Sequence, residues 1–156
     1  MKKAQLAVLL GFLQSQKQIT AKIFEDIGLI EPDSSERKSH LGYLLHNLYC
    51  ALEDLWQEVA RTFENRLEDP ARYHRELLQR MHLEIPGIRP RVLNTASYQL
   101  LNELRGFRHI FRHAYDYELD EGRLRQLKAR LALGWTAVAE DLENFRRFLQ
   151  EGLEDE

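Results

Sequence analysis

The chain is expected to fold as an all-α, up-and-down bundle of four long helices plus a short one. Three observations predict it. Apolar residues recur every three or four positions through most of the 156 residues, which is the helical period. No run alternates at period two with β-branched enrichment, so no strand is expected. Proline and glycine fall between helix-length segments, where short connections turn one helix back on the next.

In chain order, Leu6, Leu9, Leu10 and Leu13, then Ile19, Ile23, Phe24 and Ile27, mark one long helix or two halves separated near Ser15 to Gln18. Gly28 and Pro32 end it. The polar Asp33-Ser34-Ser35-Glu36 run supplies caps, with Asp33 and Glu36 the favoured pair. The second helix is expected from about Ser34 to Leu67. Leu41, Leu44, Leu45, Leu48, Leu52, Leu55, Trp56, Val59 and Phe63 give it the broad apolar face of a main core strut. Glu68-Asp69-Pro70 breaks it, because proline lacks the amide hydrogen and disfavours helix in the residue before it. A short helix from about Ala71 to Leu83 follows, and Ile85-Pro86-Gly87-Ile88-Arg89-Pro90 reads as an extended, stiff connection. Asn94 or Thr95 caps the fourth helix, which ends near Tyr115 to Leu119. The last, from about Asp120 to Leu153, carries Leu124, Leu127, Leu131, Trp135, Val138, Leu142, Phe145 and Leu149 and closes the bundle.

Length suits a single domain spanning residues 1–156. Hydrophobic residues at 44% and charged ones at 30% are the balance of a folded chain. A net charge of -3 argues against wholesale coating of nucleic acid, so any such binding has to come from a local basic patch. The lone Cys50 lies in an apolar segment, reads as buried filler, and implies a reducing compartment. AQLAVLLGFL leads into polar QSQKQ without a small-residue cleavage site, and no stretch reaches the roughly 20 apolar residues of a membrane span. A cytoplasmic protein without cofactor or membrane contact is expected.

The stretch that concentrates chemistry is Asn102 to Asp120. At about 100° per residue, Leu100, Leu104, Phe107 and Phe111 form a buried stripe, while Arg108, Arg112, Arg105, His109 and His113 lie about 80° to 220° from Leu100. A cationic outer face follows. Its plain reading is a solvated surface. The i, i+4 spacing of His109 and His113 also suits a metal pair, but no His-Glu-x-x-His or cysteine cluster accompanies it, so no metal is expected. Glu53, Asp54 and Glu64 read as solvated helical charges. His40, His46, His74 and His82 show no comparable constellation, and Tyr43, Tyr49 and Tyr98 read as packing residues.

Arg108-His109-x-x-x-His113-x-Tyr115 reproduces the Arg-x(4)-His motif, with a polar residue after the arginine, of the HEPN superfamily. With HNLYCALEDLWQEVARTFENRLEDP and YHRELLQRMHLEIPGIRP, the chain from about Lys38 to Leu153 resembles the HepT-like ribonuclease toxins, which are encoded beside an MNT-type nucleotidyltransferase antitoxin. The resemblance implies metal-independent RNA cleavage by 2'-hydroxyl attack, with tRNA as substrate class. His113 would transfer the proton and Arg108 stabilise the charged transition state, with His109, Arg112 and Arg105 in support; the alternative role of Glu53, Asp54 or Glu64 is the acidic partner that some HEPN sites use, and that of Tyr43, Tyr49 or Tyr98 is to stack a base near the cleft. It also implies neutralisation by AMPylation of Tyr115, with Tyr117 an open alternative as acceptor. Arg108 and His113 stand about 140° apart on one helix. A homodimer, which presents each residue twice across a twofold axis, is therefore expected. The alternative is a non-catalytic HEPN dimer that serves as scaffold for a nucleotidyltransferase.

Overall fold

The computed structural model describes residues 2–64, 73–112 and 119–155, and the side chain of Arg112 lies outside that description. Helices α1 (Lys3–Gly28), α2 (Ser35–Phe63), α3 (Tyr73–His82), α4 (Thr95–Arg112) and α5 (Glu121–Glu154) form the expected all-α bundle, four long and one short. Among the described residues there is no strand, only an isolated bridge between Ile85 and Arg89. The expected end of the second helix at Leu67 and start of the third at Ala71 lie outside the described residues.

The central element is α2, which packs against all four other helices. Leu41, Leu45, Leu48, Leu52, Leu55, Trp56 and Val59 are buried along it, each removing apolar surface worth roughly 1.5–3 kcal/mol from water. Helix α1 is continuous through Ser15 to Gln18 because the polar run finds partners. Gln16 Nε2 donates to the Ala51 carbonyl of α2 at 2.7 Å, and Thr20 Oγ1 donates back to the Gln16 carbonyl at 2.8 Å.

The helix starts follow capping chemistry. Ser34 Oγ accepts from the Arg37 amide at 3.2 Å, so Ser34 and not Asp33 caps α2; Asp33 instead pairs with the Arg37 guanidinium at 3.1 Å. Of the two candidates for α4, Asn94 is the cap. Its Oδ1 accepts from the Ser97 amide at 2.9 Å, while its own amide and side-chain nitrogen donate to Asp141 of α5 at 2.9 and 3.1 Å. Asp120 caps α5 through the Arg123 amide.

The α3–α4 connection is not extended. Pro86 and Gly87, the latter at φ 78°, occupy the two central positions of a turn whose Ile88 amide donates to the Ile85 carbonyl at 3.0 Å. Proline followed by a residue at positive φ is the type II pattern. The turn aims Arg89 inward, fully buried, where Nη1 donates to the Leu83 and Pro90 carbonyls and Nη2 to the Arg80 carbonyl and to Glu64 Oε1. Glu64 is therefore no solvated charge: it closes a buried ion pair that ties the end of α2 to the α3–α4 turn.

Two contacts seat α4. A Cβ placed on Gly42 of α2 would lie 2.6 Å from a Leu119 methyl and 3.0 Å from the Phe111 ring, and one on Gly134 of α5 would lie 2.8 Å from a Leu100 methyl. Absent side chains at these points let α4 approach both neighbours.

Candidate functional site

Helix α4 buries Leu100, Leu101, Leu104 and Phe107, with Phe111 partly buried beside them. The apolar stripe is as expected. The cationic face is not uniform, however. Arg108 lies only about 40° from Leu104 on the wheel, and it borders the stripe instead of pointing out of the bundle. It is half-buried, as is Arg105, whereas His109 is exposed. Arg105 is held along its own helix, with Nε and Nη2 donating to Asn102 Oδ1 at 3.0 and 2.9 Å. Arg112 ends the helix, its side chain not described. His113, Tyr115 and Tyr117 lie outside the described residues.

What Arg108 meets is a carboxylate–imidazole pair. Arg108 Nη1 stands 3.4 Å from His74 Nε2 at the start of α3, and His74 Nδ1 stands 2.7 Å from Glu53 Oε1 on α2. Three helices thus contribute one residue each. A guanidinium has only donors, so a hydrogen bond across the long contact to Nε2 needs a lone pair there, the tautomer that carries its ring proton on Nδ1 toward Glu53. The Glu53 side chain is 6% exposed and that of His74 39%. The relay therefore runs from the interior to the surface.

Beneath it lies Tyr49, one turn before Glu53 on α2 and fully buried. Burial, with the Glu53 carboxylate nearby, pushes the Tyr49 phenol well above its ordinary range, and Arg105 and Arg108 oppose that only in part. Tyr49 stays a neutral hydroxyl. Among the described residues, Tyr49 Oη, Glu53 Oε2 and Arg108 Nε are buried without a well-formed hydrogen bond, although the Glu53 carboxylate is close enough to the Tyr49 hydroxyl to act on it. Such groups clustered in one place are costly to the fold. Tyr73 sets its ring edge-on to His74, with centroids 5.5 Å apart.

The expectations for Glu53 and His74 are corrected here as well. Glu53 is not a solvated helical charge, and His74 belongs to a constellation. A signal for Glu53 existed: it falls between Tyr49 and Trp56 on the inward stripe of α2, where an unpaired carboxylate is too costly to bury. Asp54 is exposed, as expected, and so is His40; Tyr43, read as a packing residue, is exposed instead. His82 stacks on Tyr98 at 4.8 Å and donates from Nδ1 to the Leu93 carbonyl. Cys50 is half-buried, not buried, with Sγ 3.5 Å from His46 Nε2. Among the described residues no His/Cys/Asp/Glu group is arranged to hold a metal, and no helix is long and apolar enough to cross a membrane.

A family model described as "HepT-like protein" matches residues 40–149. The chain belongs to the HepT-like family. Within this HepT-like chain the match takes in Glu53, His74, Arg105 and Arg108 and leaves α1 outside it. No curated protein and no solved structure matches the chain.

Proposed function

We propose that this HepT-like chain is the toxin of a HEPN/MNT toxin–antitoxin pair, an endoribonuclease acting on RNA of the tRNA class with its own side chains as catalysts. Arg108 grips the scissile phosphate and neutralises charge that develops in the transition state, a task for a planar, permanently charged fork. His113 moves the proton between the ribose 2'-hydroxyl and the leaving oxygen. A 2',3'-cyclic phosphate is the product. His109, Arg105 and Arg112 extend the cationic track for the backbone. Because Arg108 and His113 diverge on one helix, a homodimer assembles the cleft from two copies.

The observation that carries the reading is the setting of Arg108. A guanidinium at the edge of a core, aimed by a neutral imidazole and without a direct carboxylate partner among the described residues, retains its charge for an anion. The family match supports the same assignment. Neutralisation follows from modification of Tyr115 by the nucleotidyltransferase partner: adenylate adds bulk and a negative phosphate beside the same cations, in competition with RNA.

A second reading, a non-enzymatic dimer that binds the nucleotidyltransferase, draws on the half-buried state of Arg108 and its engagement with His74. Expression without the antitoxin separates the two. Growth arrest relieved by Arg108→Ala and by His113→Ala is the expected result, and equal growth of all three strains supports the scaffold instead. In protein co-expressed with the antitoxin, adenylate mass additions should vanish in Tyr115→Phe; their loss in Tyr117→Phe alone moves the acceptor.

A further inference from the structure

We propose that His74 is a positioning residue for Arg108, acting as a neutral spacer between that guanidinium and the buried Glu53 carboxylate. The inference rests on the reading of Arg108 as the phosphate-binding group and adds to it a residue on another helix, 34 positions away in the chain.

The chemistry of the spacing is the ground for it. An arginine placed directly against a buried carboxylate forms a bidentate, charge-assisted pair that consumes the fork. Here the imidazole intervenes. Glu53 takes the Nδ1 proton at 2.7 Å, which leaves the Nε2 lone pair facing Arg108 Nη1 at 3.4 Å. The carboxylate thus orients the ring, and the ring orients the guanidinium without neutralising it. Glu53 is almost fully buried and Tyr73 lies edge-on to the ring, so the imidazole has little freedom to turn. Arg108 Nε is buried and unpartnered among the described residues. His74 is then the polar group that decides where the outer nitrogens of Arg108 point. Among the described residues, the groups set against His74 are Glu53 from α2, Tyr73 from its own helix and Arg108 from α4, while Glu53, Arg105 and Arg108 act together on Tyr49 beneath it. A second proton on the ring would present N–H to N–H at Arg108 and break the contact.

Two side chains separate positioning from mere packing. His74→Gln carries an amide oxygen to about the reach of Nε2, so it keeps an acceptor for Arg108. His74→Asn is shorter and keeps only the bond to Glu53. With purified protein and a short RNA, His74→Asn should lower kcat by about 10- to 100-fold, the scale of a misplaced catalytic group. KM should stay within about twofold, and His74→Gln should recover most of the loss. Equal loss in both variants, or none in either, overturns the proposal.

A second measurement does not depend on cleavage. In the long-range proton–nitrogen spectrum of the wild-type imidazoles, His74 should be protonated at Nδ1, and its Nε2 resonance should move in Arg108→Met. Protonation at Nε2, or a resonance indifferent to Arg108→Met, refutes the spacer. If the wild type cuts no RNA the nuclease reading fails, and this spectrum still decides the geometry.

Discussion

Arg89 and Arg108, both reaching toward the interior of this chain, sit in opposite kinds of surroundings. Arg89 is fully buried, with three backbone carbonyls and the Glu64 carboxylate around its outer nitrogens. Arg108 is half-buried and, among the described residues, is met by a single imidazole nitrogen at 3.4 Å. Both leave Nε buried without a partner among the described residues. The difference lies in the outer nitrogens. A saturated guanidinium acts as a structural clasp, holding the ends of α2 and α3 to the turn before α4. The Arg108 guanidinium, among the described residues, has outer donors to spare.

The comparison breaks or sharpens under substitution. Arg89→Met should have the largest effect on stability, about 3–5 kcal/mol, because it leaves a buried carboxylate and three carbonyls without their cation. Chemical denaturation reads this directly, and Arg89→Met/Glu64→Leu should recover part of it, since no orphaned charge remains. Arg108→Met should cost less than about 1 kcal/mol in the same measurement, as one long hydrogen bond is lost. A cost as large as that of Arg89→Met would erase the distinction.

The smallest effect belongs to an ion pair that involves neither Arg89 nor Arg108. Arg146 and Lys17 hold the Glu143 carboxyl down to about 2 from an ordinary 4.5 through hydrogen bonds, the one from Lys17 tying α5 to α1. A depressed carboxyl contributes stability that is fully present above its unfolded pKa and lost as pH falls through the folded value. Between pH 4.5 and 2 the denaturation midpoint should therefore fall more steeply in the wild type than in Glu143→Gln. Parallel slopes would show that solvent screens the pair completely.

The helices were legible because burial on one face imposes a period of three to four on apolar residues, and α2, α4 and α5 carry it with few interruptions. The α4 stripe of Leu100, Leu104 and Phe107 was legible for the same reason. What spacing along one helix does not encode is the partner across the bundle. Glu53 and His74 look like ordinary helical charges until α3 is docked on α2, and their link to Arg108 joins three segments. Arg89 was hidden differently. In a Pro-Gly stretch an arginine reads as solvated, and only the type II turn closed by Gly87 directs it inward.

The most direct test of the central claim, that the arginine left unsaturated is the one that meets the phosphate, is single-turnover cleavage of RNA in the presence of a chelator. The wild type should cut to a 2',3'-cyclic phosphate, and Arg108→Met should be slower by about 100-fold or more, the scale of losing one preorganised transition-state donor, while melting as the wild type does. Equal rates for the two proteins would contradict it.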